Sequence, residues 1–161
     1  MADRKGATPA LVVLERLAIE HRVHEYEHDP SVSSFGDEAA EALGGVDPAR
    51  VFKTLVADAG GLVVAVVPVP AHLDLKALAA VWGVKRAGMA DPRAAERSSG
   101  YVVGAISPFG HKRELPTVVD RSATTFATVF CSGGRRGLEI EVAPADLVAA
   151  LGAEVAPIAR W

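Results

Sequence analysis

At 161 residues, half of them hydrophobic and 23% charged, the chain has enough apolar surface for one core and argues against a two-domain enzyme. Its one cysteine, Cys131, excludes a disulfide framework and any multi-cysteine metal set, and fits a reducing, cytoplasmic setting. The net charge of −3 argues against a nucleic-acid coat protein, and no DNA partner is expected. The longest apolar stretch, 62–71, contains Pro68 and Pro70 and falls far short of the ~20 residues that span a bilayer. Met1-Ala-Asp-Arg-Lys5 lacks the apolar core of a signal peptide, so neither membrane anchor nor export signal is expected.

Along the chain, Thr8-Pro9 followed by Leu11, Leu14, Leu17 and Ala18 predicts a capped helix ending near His21. An extended segment over 23–28 is stopped by Asp29-Pro30. Acids in the first turn and the Gly44-Gly45 stop predict a short helix over 36–43, and Asp47-Pro48 starts a further helical turn. Two β-branched runs, 51–58 and 62–69, separated by Ala59-Gly60-Gly61, predict a β-hairpin at the centre of a sheet. Asp74 caps a helix over 75–82, and Asp91-Pro92 opens another that Gly100 ends. Strands are expected over 101–106, 117–120, 126–132 and 138–142, then a helix from Pro144 to Gly152 and an extended piece around 155–158. Helices and strands interleave without βαβ regularity. The expected fold is α/β of the mixed α+β kind, a single domain over 1–161 with a mixed, largely antiparallel sheet flanked by helices.

The charge is partitioned. Residues 85–136 carry nine Lys+Arg (Lys85, Arg86, Arg93, Arg97, Lys112, Arg113, Arg121, Arg135, Arg136) against four acids, a balance of +5, while 1–84 and 137–161 stand at −5 and −3. Scattered charge usually marks a solvated face, and charge alone favours that reading over a footprint for a phosphate-bearing partner.

His24-Glu25-Tyr26-Glu27-His28 matches the zinc-peptidase pattern H-E-x-x-H, which works only on a helix, where residues four apart share a face. Here the residues alternate as in a strand, which would separate the two histidines by ~13 Å. No metal or other cofactor is expected. The chain also lacks a phosphate-binding P-loop, a dinucleotide fingerprint and a serine-hydrolase elbow. Cys131, within Thr128-Val-Phe-Cys131, reads as a buried structural thiol.

Three features are expensive for a mere scaffold. Lys53 sits inside the apolar run Val51-Phe-Lys-Thr-Leu-Val56, where an ammonium needs a partner or ligand. Gly104-Ala-Ile-Ser-Pro108 shapes a backbone that a ligand can approach closely. Ser132-Gly-Gly-Arg-Arg-Gly137 can present amides as an anion nest beside two arginines. Taken together they point to a cleft for a carbonyl or phosphate, with no general base.

At these residues the sequence resembles the YbaK/EbsC family of aminoacyl-tRNA editing deacylases, in particular its Cys-tRNA(Pro) deacylase branch. The match runs through Thr8-Pro-Ala10, His24 to Pro30, Phe52-Lys-Thr-Leu55, Leu73-Asp-Leu-Lys-Ala-Leu78, Met89-Ala-Asp-Pro92, Gly100 to Pro108, Lys112 to Asp120 and Ser132 to Ile140. The resemblance implies a partly curled mixed sheet, a cleft holding the acceptor end of tRNA(Pro), and hydrolysis of wrongly attached cysteine, beside prolyl-tRNA synthetase as a possible partner. It further implies that Lys53, Gly104 and Ser132 are catalytic: Lys53 contacts the phosphate or ester end, Gly104 orients the ester carbonyl through its backbone, and Ser132 forms part of the polar wall. Tyr26, Phe35, Thr54, Ile106, Ser107, Pro108, Gly133 and Glu139 would contact the substrate. Glu139 stands where the family more often has Asp, Cys131 where an apolar residue is usual, and His111 where a glutamine is common.

On this resemblance the missing base is intelligible, because a cysteinyl ester carries its own thiol nucleophile. Alternatives are an alanine-specific deacylase using water, a non-catalytic tRNA- or nucleotide-binding module, and thiol chemistry at Cys131.

Overall fold

The computed structural model of the chain describes residues 7–31 and 35–161, residue 35 by its backbone alone. Helix α1 (Pro9–Arg16) begins as predicted, with Thr8 Oγ1 accepting the Leu11 amide at 3.3 Å and Pro9 presetting the first turn. It stops earlier than the apolar spacing predicts, because Ala18 adopts a left-handed φ of +52° and redirects the chain into β1 (His21–Glu25). The strand expected over 23–28 is therefore shifted toward the N-terminus, although the Tyr26 amide still donates to Gly137 O at 2.9 Å.

Helix α2 (Phe35–Ala42) and a 3-10 turn at Pro48–Arg50 lead into the predicted hairpin, β2 (Phe52–Asp58) and β3 (Leu62–Pro68). The two strands pair antiparallel from Phe52 opposite Pro68 to Asp58 opposite Leu62. All of β3 beyond Leu62 is buried, the mark of a central strand with apolar packing on both faces. Strand alternation divides its side chains between two cores. Val64 and Val66 join Phe52, Val56, Val119 and Ile140 on one face, and Val63, Ala65 and Val67 join Leu78, Val118 and Ile158 on the other.

The remaining elements are β4 (His72–Leu73), α3 (Leu75–Val81), β5 (Gly88–Met89), α4 (Pro92–Ser99), β6 (Thr117–Asp120), β7 (Val129–Ser132), β8 (Leu138–Val142), α5 (Pro144–Leu151), β9 (Glu154–Ala156) and β10 (Ala159–Arg160). The main sheet runs β5-β2-β3-β6-β9, with β6 and β9 parallel to their neighbours. An antiparallel sheet β1-β8-β7 packs over one of its faces, and a parallel bridge from Val51 to Phe130 joins the two. β10 pairs with β4. The mixed α/β expectation is met, with antiparallel pairs in the majority.

Two expected strands are different in the fold. Residues 101–106 form turns, in which the Ala105 amide closes onto Val102 O at 3.0 Å and Gly104 takes φ +92°. The strand expected over 126–132 begins only at Val129: Asp120 caps a 3-10 turn over Arg121–Thr125, accepting the Ser122 amide at 3.1 Å, and the Phe126 amide is spent on Ala123 O of that turn at 3.3 Å. The two-residue strands β4 and β5 are too short to leave an alternating pattern. Among the described residues no helix is long and apolar enough to cross a membrane.

Candidate functional site

A cavity of about 480 Å³ opens where β2, the start of α4, the Gly104 turn and the β7–β8 connection converge. That volume lies within the range of small-molecule sites. Its wall includes Tyr26, Lys53, Thr54, Gly104, Ile106, Ser132 and Glu139, seven of the expected site residues drawn from four separate parts of the chain.

β2 supplies the polar groups with the least internal satisfaction. Lys53 Nζ donates to Val69 O at 3.2 Å, and burial lowers its pKa, opposed by the nearby charge of Asp37. Thr54 Oγ1 is buried with no hydrogen-bond partner among the described residues. A buried hydroxyl left unpaired costs about 1–3 kcal/mol, so a ligand that pairs with it recovers that energy.

On the opposite wall the Ser132 hydroxyl and the neighbouring glycine amides are engaged. Ser132 Oγ donates to Ala105 O at 2.9 Å and accepts from the Gly134 amide at 3.0 Å. The Gly133 amide donates to Leu138 O at 2.8 Å, and its carbonyl accepts from Thr8 Oγ1. The anticipated anion nest is therefore reduced, since two of its amides already serve the turn. Gly133 itself lies off the cavity wall; a Cβ there would stand 2.6 Å from Leu138 Cγ, so close packing explains the glycine.

Gly104 contributes backbone alone to the wall, and its φ of +92° is a conformation that side chains rarely tolerate. The turn around it is bracketed. Glu96 Oε2 on α4 accepts the Val103 amide at 2.8 Å, Ser132 holds Ala105 O, and Tyr101 Oη donates to Phe109 O at 2.7 Å. Glu96 belongs to no motif and its role was not legible in the sequence. Its partner is a backbone amide seven residues on, fixed only once the 101–106 segment turns.

Ser107 and Pro108 are not brought to this cavity. Ser107 is fully buried, its hydroxyl accepting from the Phe109 amide at 3.2 Å and its carbonyl bonded to His111 Nε2 at 2.6 Å. Pro108 lines a separate depression with Phe109 and His111. The side chain of Phe35 lies outside the described residues.

The electrostatics of the wall are mixed. Burial pushes the Glu139 carboxyl up to about 8, so it is mostly protonated at neutral pH. Tyr26 is pushed up to about 12 by burial and by Glu139 and Glu38, and stays neutral. Arg135 and Arg136 complete a cationic mouth with Lys53, Arg135 also pairing with Glu25 at 3.0 Å. Cys131 is wholly buried and its thiol pushed well up, the opposite of an activated nucleophile. The two histidines of the zinc-like pattern are held by different carboxylates, His24 by Glu141 at 2.9 Å and His28 by Glu38 at 2.7 Å. Among the described residues no cluster of three or more His, Cys, Asp or Glu side chains is arranged to hold a metal.

Residues 29–150 match the aminoacyl-tRNA editing domain family. The sequence is 35% identical, over 98% of each chain, to EbsC of Enterococcus faecalis, provisionally named a Cys-tRNA(Pro)/Cys-tRNA(Cys) deacylase. A crystal structure provisionally described as a trans-editing enzyme for prolyl tRNA synthetase superposes with a TM-score of 0.83 at 25% identity, covering 95% of this chain and 96% of that one. The crystal structure of a hypothetical protein superposes with a TM-score of 0.85, also at 25% identity, over 95% of this chain and all of the other.

Proposed function

The chain belongs to the aminoacyl-tRNA editing domain family, and from that premise we propose that it hydrolyses Cys-tRNA(Pro) in trans, with the cysteine's own thiol as the first nucleophile. The observation that carries this reading is the chemistry of the cavity wall: at neutral pH its described titratable groups are cations or neutral donors. A wall of that kind orients an ester and stabilises developing negative charge, and it does not need to deprotonate water.

In the proposed step the thiol sulfur bonds to the ester carbonyl carbon and the bond from that carbon to the ribose oxygen breaks. The thiol proton leaves with the ribose hydroxyl, releasing tRNA and a cyclic thiolactone that water then opens. Lys53 stands against the developing negative charge, and the Gly104 backbone fixes the carbonyl. Thr54 Oγ1 pairs with the substrate, and protonated Glu139 offers a donor. Ser132 and Glu96 act through the Gly104 turn as positioning residues. Prolyl-tRNA synthetase is the neighbour that such a correction step implies, being the source of the mischarged product.

The test is a deacylation panel of Cys-, Ser-, Ala- and Pro-charged tRNA(Pro) with wild type and Lys53→Ala. Cys-tRNA(Pro) is cleaved fastest, and Ser-tRNA(Pro), whose hydroxyl is the poorer nucleophile, at least tenfold slower. Equal rates for the two would remove the thiol mechanism, and a preference for Ala-tRNA(Pro) would replace it with attack by water.

A further inference from the structure

We infer that the exposed face of α4, together with the Lys112-Arg113 segment docked on its C-terminal end, binds the phosphate backbone of the acceptor-stem duplex of tRNA. The inference rests on the deacylase reading and locates the part of the substrate that cannot enter the cavity.

Position is the first argument. Met89, Ala90, Pro92 and Ala95 line the cavity, so the start of α4 is one of its walls. Arg93 and Arg97, four residues apart, fall together on the exposed side of the same helix. Lys112 and Arg113 are tied to that helix by backbone bonds, the Lys112 amide to Ser99 O at 3.1 Å and the Arg113 amide to Ser98 O at 2.9 Å. The aliphatic stem of Lys112 lies over Gly100, where an added Cβ would be 3.0 Å from Lys112 Cγ. Lys85 and Arg86, both exposed, precede β5, whose Met89 lines the cavity.

Charge is the second. Among the described residues none of these six cations has a carboxylate within ion-pairing distance, whereas Arg135 pairs with Glu25 at 3.0 Å and Arg50 with Glu141 at 3.9 Å. The acids on the same stretch are Asp91, Glu96 and Glu114, and Glu96 is already engaged with the Val103 amide. A surface that keeps its cations together and unpaired attracts a polyanion.

Ligand geometry is the third. A cavity of about 480 Å³ admits the terminal aminoacyl nucleoside and leaves the duplex outside. Two exposed apolar residues line the cavity next to α4, Met89 three residues ahead of the helix and Val103 tied to it through Glu96, a surface suited to the unpaired bases that join the ester end to the stem.

The test compares wild type, the triple variant Arg93→Ala/Arg97→Ala/Arg113→Ala and a control, Lys76→Ala/Arg160→Ala. Binding of an uncharged acceptor-stem minihelix is followed by fluorescence anisotropy over a salt series, and cleavage of Cys-tRNA(Pro) is compared with cleavage of the cysteinyl ester of a CCA trinucleotide. The triple variant is expected to lose at least tenfold in minihelix affinity and to flatten the plot of log affinity against log salt by about 2–3, roughly 0.7–0.9 for each of three phosphates no longer neutralised. Its KM for Cys-tRNA(Pro) rises while kcat and trinucleotide cleavage stay unchanged, and the control stays within twofold of wild type. Wild-type binding by the triple variant, or an equal loss on the trinucleotide ester, overturns the surface. A wild type that binds the minihelix with this salt dependence yet cleaves no cysteinyl ester overturns the deacylase reading and leaves the surface standing. A single Arg97→Glu reversal, at an exposed position, tests the same surface independently of how the triple variant folds: it too should weaken minihelix binding, and unchanged affinity overturns the surface.

Discussion

The two walls of the cavity handle their polar groups in opposite ways. Among the described residues, Thr54 Oγ1 on β2 is buried without a partner and Lys53 holds only one backbone carbonyl. Across the cavity, Ser132 both donates and accepts, and the neighbouring glycine amides complete the turn. Unmet polar capacity is unfavourable in an empty fold and useful when a ligand arrives, so under the proposed function the contrast assigns Lys53 and Thr54 to the substrate and Ser132 to holding the turn. β2 can bear this because β3 anchors it along its whole length, leaving no need for its cavity-lining polar side chains in the fold.

The contrast is tested most strongly at Lys53. Lys53→Ala is expected to lower kcat about 10²- to 10³-fold, the scale of a lost charge-stabilising donor, while urea unfolding shifts by less than about 1 kcal/mol. A variant with full deacylation would end the division of labour between the walls.

Glu139 sits on the engaged wall, opposite Ser132 in the β7–β8 ladder, yet its carboxyl is buried and raised to about 8 from 4.5. Between those values the folded state keeps a proton that the unfolded chain has lost, so this group's contribution to stability is fully present below pH 4.5 and is lost as pH rises through 8. The expected loss is on the order of a few kcal/mol, and Glu139→Gln should flatten it in chemical unfolding at about pH 5 and pH 8. A slope that survives in the variant would assign the dependence elsewhere.

Ser132→Ala removes one partner from two backbone groups, Ala105 O and the Gly134 amide. It is expected to cost about 1–3 kcal/mol in unfolding free energy and roughly tenfold in kcat, with KM little changed. A purely catalytic loss at unchanged stability would move Ser132 to the substrate-contacting side. The smallest effect is predicted at Thr54→Val, which removes an unpaired buried hydroxyl. Stability should be unchanged or rise by up to about 1 kcal/mol while activity falls several-fold, and a drop in stability would show that the hydroxyl serves the fold.

Much of the fold was legible because it is local. Thr8-Pro9, Asp74 and the Gly-rich link between β2 and β3 carry their own capping and turning chemistry, and the hairpin forms at the predicted residues. At 101–106 the prediction failed because partners outside the run decided. The Tyr101-Val102-Val103 run has the composition of a strand, but Glu96 captures the Val103 amide and Ser132 captures Ala105 O, holding a turn in its place. Ser107 and Pro108 share the G-x-x-x-P stretch with Gly104, yet the turn sends Gly104 to the cavity and Pro108 to another face.

By itself, the sequence determined the family to which the chain belongs and offered candidate residues for the site, because ordered short motifs survive without any knowledge of contacts. It also carried the +5 segment, but not whether those charges were scattered. Only the tertiary structure decided that Arg113 is brought to the helix that carries Arg93 and Arg97, that Thr54 is left unpaired among the described residues and that Glu139 holds its proton. The physical reason is that pairing and desolvation depend on neighbours remote in the chain, and a linear pattern contains the groups without the distances between them.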